Sequence, residues 1–404
     1  TRLINREKGV LDAVIRRLRA DCMRLFRVIA ATTALLAFGA LEPRAAETQR
    51  SSTGAAVLGS WTATQFQARG GRVAWYHGDA HELIAYDAVV DELTRGTEVF
   101  VVRPNGAGRR CVTCDATIPK GFVGQPAWHP DGRHLVVQAE SPHARHRFLN
   151  HLAWGIDNDL WLVDLTTGTA EKIWSTPRRH AALHPHFSRD GSRLMFAERT
   201  PTGRSFRRIR RLDLGADGEN HWDGWRIRIV EFHMRRSPAA TITASRILFA
   251  DRGGFFETHG FRSDGRIVYS HTPGGRAYVD AVYLANDDGS GELALVDLAG
   301  TWNEHGQFAP SGRSLAFISS RADPGWRAPR SKASELRTEL FLQRGSEITQ
   351  LTSFNRSGAR RRLLVSDFDW DRDGRRIVFQ VAPIDAQGKP ESPQLWMLTF
   401  SEAQ

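Results

Sequence analysis

The sequence predicts an all-β chain folded as a six-bladed β-propeller with four-stranded antiparallel blades and an N-terminal strand closing the last blade. Two observations carry the prediction. One phrase returns five times, an aromatic followed by a Gly turn and an apolar run, at separations of about fifty to about seventy residues. Self-similarity in that range marks a repeat array. The composition also suits many short strands and turns, with twelve Trp, 36 Gly and 17 Pro among 404 residues.

The first copy of the phrase runs from Trp128 through Asp131-Gly132 into Leu135-Val136-Val137. Asp-Gly between apolar stretches is a strong hairpin signal, because Gly accepts the positive φ of a tight turn. Phe187 leads through Asp190-Gly191 into Leu194-Met195-Phe196. Phe261 leads through Asp264-Gly265 into Ile267-Val268-Tyr269, and Phe308 through Ser311-Gly312 into Leu315-Ala316-Phe317. Trp370 leads through Asp373-Gly374 into Ile377-Val378-Phe379.

From the beginning, Arg24 and Arg27 precede the apolar run Val28 to Leu41, with small residues near Ala45-Ala46. Residues 23–46 therefore read as a signal peptide. The run is too short for a confident span, so no stable membrane span is expected after its removal. Residues 1–22 lack an initiating Met and read as a doubtful segment upstream of a start at Met23. A long leader or an uncleaved anchor is the competing reading. Residues 47–70 read as a polar linker and 71–404 as the propeller.

The first blade is expected at Arg72 to Trp75, Leu83 to Val90, Glu98 to Pro104 and Arg109 to Cys114, without the Asp-Gly phrase. The second begins at Gln125 and continues with Asp159 to Leu165 and Ala170 to Trp174. The third begins at His184, with Trp225 to Phe232 and Ala240 to Phe249 as its outer part. The fourth begins near His259 and includes Glu292 to Leu298. The fifth begins at His305, with Glu339 to Leu342 and Glu347 to Leu351. The sixth begins at Asp367 and ends with Gln394 to Phe400, leaving no outer strand of its own. A propeller closes by letting one terminus complete the blade of the other. Arg72 to Trp75, or the strand before it, is the expected donor.

Cys111 and Cys114 are the two cysteines beyond residue 22. In an exported chain they form a local disulfide or remain two thiols at a strand end. A zinc site would need two further ligands. The formal charge is +10, but the first 46 residues hold nine Lys and Arg against four acids. The remainder is only mildly basic, and no basic stripe carries interleaved aromatics. Nucleic acid is therefore not an expected partner, while an anionic ligand is mildly favoured.

The phrases at Trp128, Phe187, Phe261, Phe308 and Trp370 resemble the PD40 (WD40-like) repeats of the TolB-like six-bladed propellers. The units Val99 to Gly106 and Leu160 to Asp164 share the likeness. The resemblance covers nearly everything after the apolar run, and the extra α/β domain of TolB itself has no expected counterpart. It implies an exported protein, periplasmic or secreted, that binds a protein or ligand at one face or in the axial channel. As a fold signal it is specific, but a propeller hosts many functions.

The approaches to the innermost strands are rich in ligating groups. Gln125, Glu257, Glu304, Gln307, Asp367 and Asp369 are candidate channel or ligand residues. His184, His186, His259 and His305 are candidate metal ligands. In a propeller these come from different blades and meet around one mouth of the axis. Imidazoles with carboxylates suit zinc, manganese or iron, and carboxylates with a Gln and water suit calcium. No catalytic residue is assigned. The set more distantly resembles the channel metal site of oligogalacturonate lyases, seven-bladed propellers in which His and Gln hold a divalent ion. His184, His305 and Gln307 are the positions that likeness carries over. The alternative function is thus a divalent-metal-dependent lyase or hydrolase of an anionic saccharide. The plainer reading is a wet channel whose polar side chains hydrogen-bond backbone across the ring. The register poses a problem, since His259 is two residues before its aromatic and the others one or three. On regular strands these would point to opposite faces. His143, His146 and His151 read as solvent-facing loop residues.

Overall fold

The computed structural model describes residues 47–49, 59–91, 96–144, 155–200, 224–235, 239–273, 279–326, 335–355, 362–385 and 391–404. The signal-peptide segment, residues 1–22, His146 and His151 lie outside the described residues. Each recurrent phrase is a hairpin. Gly132 and Gly374 turn two of them with φ of +70° and +67°, a conformation costly for any residue with a Cβ.

The chain begins with β1 (Glu47–Gln49) and β2 (Trp61–Gln67). The first blade is β3 (Val73–Trp75), β4 (Ile84–Asp91), β5 (Gly96–Val102) and β6 (Arg110–Cys111). The second is β7 (Val123–Trp128), β8 (His134–Glu140), β9 (Asn158–Asp164) and β10 (Ala170–Trp174). The third is β11 (Ala181–Phe187), β12 (Arg193–Arg199), β13 (Trp225–Met234) and β14 (Ala240–Leu248). The fourth is β15 (Phe255–Phe261), β16 (Ile267–Thr272), β17 (Ala281–Ala285) and β18 (Leu293–Val296). The fifth is β19 (Asn303–Phe308), β20 (Ser314–Ser319), β21 (Glu339–Arg344) and β22 (Glu347–Gln350). The sixth comprises β23 (Arg362–Trp370), β24 (Arg376–Ile384) and β25 (Gln394–Phe400), with β2 as its fourth strand and β1 beyond it. Pairing within every blade is antiparallel, so the chain is an all-β six-bladed propeller.

An apolar cluster fills each of the six seams between blades. The strands read as apolar runs because both of their faces are buried. On β5, Val99 and Val101 face the seam with the second blade, while Phe100 and Val102 face the seam with the sixth. The period of two survives, but it separates one seam from another rather than core from solvent.

The closing strand is β2, the strand before Arg72 to Trp75, while Val73–Trp75 form the first blade's inner strand. It pairs with β25 from Trp61↔Phe400 to Gln67↔Leu395. Trp61 is buried in the seam between the fifth and sixth blades, and its Nε1 donates to the Leu351 carbonyl at 3.0 Å. The strand thus falls within the stretch that reads as linker, because Trp-Thr-Ala-Thr-Gln-Phe-Gln is polar on its outward side. Cys111 and Cys114 form a disulfide. No helix among the described residues is long and apolar enough to cross a membrane.

Candidate functional site

The register problem is resolved by a β-bulge in five of the inner strands. Pairing slips between Gly124 and Ala127, Leu183 and His186, Thr258 and Gly260, Glu304 and Gln307, and Ser366 and Phe368. A bulge inserts an extra residue and re-aims its side chain. Gln125, His184, His305 and Asp367 occupy the slip with φ of 50°, 50°, 54° and 25°. In the fourth blade His259 is the extra residue, and Gly260 takes the positive φ of 117°. His and Asp are among the few non-glycine types that enter this region with any frequency.

These side chains join one blade to the next in a closed circuit. Asp87 Oδ2 accepts from the Gln125 amide at 3.0 Å, and Gln125 Oε1 accepts from the His184 amide at 2.7 Å. His184 Nε2 lies 2.9 Å from Glu257 Oε1. The His305 amide donates to His259 Nε2 at 3.2 Å, and the Ser270 hydroxyl lies 2.6 Å from the same nitrogen. His305 Nε2 lies 3.4 Å from Asp367 Oδ1, which lies 3.6 Å from Arg72 Nε. Arg72 N donates to Asp87 Oδ1 at 3.2 Å, returning the circuit to its start.

Two overlapping groups bring three ligand atoms within 4.8 Å of one another. They are His184, His305 and Asp367, and Glu257, His259 and His305. All five residues are buried.

The electrostatics are dominated by burial and by the mutual influence of the imidazoles and carboxyls. Burial, with the nearby His305 and His184 rings, drives His259 well below the usual imidazole value. Burial lowers His305 as well, against the pull of Asp367 and Glu257. His186 is pushed down to about 4 by burial and by the His184 and His305 rings. For Glu257 and Asp367, burial acts upward but is outweighed, by His184 for the first and by Arg72 and His305 for the second. Both carboxyls therefore sit below their ordinary range. Burial and the charge on Glu257 push Asp280 and Glu304 well up.

The remaining sequence candidates take other places. His186 Nε2 meets the Thr258 carbonyl at 3.0 Å. Asp369 Oδ2 accepts from the Trp75 amide at 2.7 Å, tying the sixth blade to the first. The Gln307 carbonyl accepts from Trp370 Nε1 at 3.3 Å. Glu304 lies near Glu257 and Asp280, whose charges add to burial in pushing its carboxyl up. His143 Nδ1 lies 3.0 Å from Ser141 Oγ, and its Nε2 lies 3.6 Å from Asp157 Oδ1.

Sequence reasoning missed Arg72, Asp87 and Asp280. A signal for Arg72 existed: it stands three residues before Trp75, as Gln125 stands before Trp128 and His184 before Phe187. The first blade lacks the Gly-turn phrase, so that offset had nothing to be measured against. Asp87 and Asp280 lie on or beside second and third strands, where no repeat phrase marks them.

What fold and site define together is a six-bladed propeller with a buried His–carboxylate ring. No protein-family profile matches the sequence, and no curated protein matches it. Solved structures do match. TolB from Acinetobacter baumannii aligns at 15% identity and a TM-score of 0.45, over 76% of this chain and 60% of that one. An oligogalacturonate lyase in complex with manganese aligns at 13% identity and a TM-score of 0.43, over 89% and 97%. A gluconolactonase from Xanthomonas campestris aligns at 14% identity and a TM-score of 0.32, over 89% and 95%. The chain thus spans 60% of the length of the TolB it matches. None of these likenesses assigns a ligand or a reaction to this chain.

Proposed function

We propose that this chain is an exported ligand-binding propeller whose site is the axial ring, and that a divalent metal ion held there by His184, His305 and Asp367 takes the ligand. The observation that carries the reading is the convergence of these three buried side chains from three blades. Two ligand atoms about 2.1 Å from one tetrahedral ion lie roughly 3.4 Å apart. His305 Nε2 and Asp367 Oδ1 have that separation. His184 is held 2.9 Å from Glu257 and would turn from it toward the ion. Glu257, 4.0 Å from His305 Nδ1, would orient that ring.

Charge supports the same reading. Glu257 and Asp367 sit below their ordinary range with help from the neighbouring imidazoles and, for Asp367, from Arg72. A bound cation would take the imidazoles' place in that balance. Burial lowers His305, toward the neutral form that a metal ligand takes. His259 already accepts the His305 amide at Nε2, so it serves as a supporting residue rather than as a ligand through that atom. The bound ion would act as a Lewis acid toward an anionic oxygen, which suits the mildly basic surface. Export rests on the apolar leader and on the disulfide, which persists in oxidising compartments.

The second reading is a metal-dependent lyase or hydrolase of an anionic saccharide, with Glu257 as proton acceptor. It is favoured by the nearness of that carboxylate to both candidate imidazole ligands. The test is elemental analysis of natively purified protein, with titration of zinc and manganese into stripped protein. One equivalent is expected, with affinity falling at least about tenfold in His305→Ala and in Asp367→Asn. Protein that binds neither ion overturns the metal centre and leaves the ring as a tie between blades.

A further inference from the structure

The Cys111–Cys114 bridge lies away from the ring, at the outer edge of the first blade. Cys111 ends β6, and Cys114 is exposed. We propose that this disulfide is a thiol-exchange site, opened by an external dithiol while the propeller stays folded, and that it sets how tightly segment 109–121 is held.

Three observations carry the proposal. First, Cys114 is exposed, so an incoming thiol can reach this residue, while Cys111 is half-buried. Second, the leaving sulfur is already provided for. The Cys114 amide donates to Cys111 Sγ at 3.0 Å, and a donor on sulfur favours the thiolate. Lys120 Nζ bonds the carbonyls of Thr113 and Cys114 at 2.7 and 2.8 Å, so a cation stands beside the same turn. Nearby positive charge lowers a thiol's pKa and makes it a better leaving group. Third, the turn has anchors that do not need the bridge. Val112, Ala116 and Ile118 are buried in the seam with the second blade. Thr113 Oγ1 donates to Glu98 Oε2 at 2.6 Å and accepts from the Val99 amide at 2.8 Å. Closing so short a loop also removes little chain entropy, so the fold does not depend on it.

The exchange balances with a dithiol as the reductant. One thiolate of the dithiol attacks Cys114 Sγ. The bond between Cys114 and Cys111 breaks, and its electron pair leaves on Cys111 Sγ. The dithiol's second thiolate then attacks its own sulfur in the mixed disulfide and releases Cys114 as thiolate. Two electrons pass from the dithiol, which ends as a disulfide. The pairing of Lys120 with Glu98 at 3.2 Å does not involve the bridge, so with the bridge open β6 would rest on that pair, its two-residue pairing with β5 and the contacts above.

The experiment treats the full chain with dithiothreitol. Alkylated peptides are identified by mass spectrometry, which separates Cys111 and Cys114 from Cys22. Far-ultraviolet circular dichroism is followed in parallel. The expected result is labelling of both cysteines with the β signal unchanged, and slower reduction in Lys120→Met. Labelling that appears only when the propeller unfolds overturns the exchange site. Equal or faster reduction of Lys120→Met overturns the part given to the cation. In a C111S/C114S variant, hydrogen exchange in 109–121 should rise at least several-fold over the oxidised protein, with the rest unchanged. No rise in that segment overturns its control by the bridge.

Discussion

Gln125, His184, His305 and Asp367 all hold left-handed backbone at equivalent places in their strands. Such a residue costs on the order of 1–3 kcal/mol, and the circuit of hydrogen bonds offsets that cost. Gln125 allows the two terms to be separated. Gln125→Ala keeps the strain and leaves the buried His184 amide without its acceptor, a loss of about 1–3 kcal/mol. Gln125→Gly loses the same bond but relieves the strain. The Gly variant should therefore be the more stable by about 1 kcal/mol in urea unfolding. Equal stabilities would mean that the backbone here is not strained. His186 gives a pH prediction for metal-free protein. Its folded value is about 4, against about 6.5 in the unfolded chain. Between those values the unfolded state binds more protons, so stability falls as pH drops through that window, by up to about 3 kcal/mol. His186→Gln should flatten this part of the profile. A slope unchanged by the substitution would place the titration elsewhere. The residue types of the ring were legible in the sequence. Their convergence was expected from the fold, but the bulge that resolves the register was not legible, because a bulge is a property of the pairing and leaves no mark in a single strand's composition.

Among the elements, β2 carries the most weight for its length. It is legible only as a requirement: the sixth blade needs a fourth strand, and the N-terminal side must supply it. Its own residues, four of them Thr or Gln, give little apolar signal. The strands of the inner hairpins are easier to read, since burial on both faces makes them continuous apolar runs. The third strand of the fourth blade, Ala281–Ala285, was missed because Asp280 and the Pro-Gly-Gly-Arg stretch from Pro273 to Arg276 interrupt the pattern. Trp61 is the test of β2. Trp61→Ala removes a buried ring and its bond to Leu351, and should cost about 3–5 kcal/mol. Deleting 59–67 should lower the melting temperature of the whole protein. A deletion that melts like the parent would argue against this strand as the closure.

Over the whole molecule, six seams share the burial, and each blade contributes to two of them. Loss of one blade's packing is felt in both neighbours, so thermal unfolding should be a single transition by fluorescence and by circular dichroism. Two resolved transitions would show that the seams melt independently. Fold class was the most legible property of all, because the repeat period, the Gly turns and the doubly buried strands agree. Function was the least legible, because the residues that meet in the ring come from different blades, tens of positions apart, and share only an offset from an aromatic.

The pairing of Trp61–Gln67 with Gln394–Phe400 has a consequence for synthesis. Strand β2 leaves the ribosome some three hundred residues before its partner. Until that partner emerges, β2 carries an unpaired edge and the sixth sheet is unfinished, both open to neighbouring chains. Contacts so distant along the chain also form slowly. A factor that holds the early segment extended until translation is complete would raise the yield of correctly joined rings.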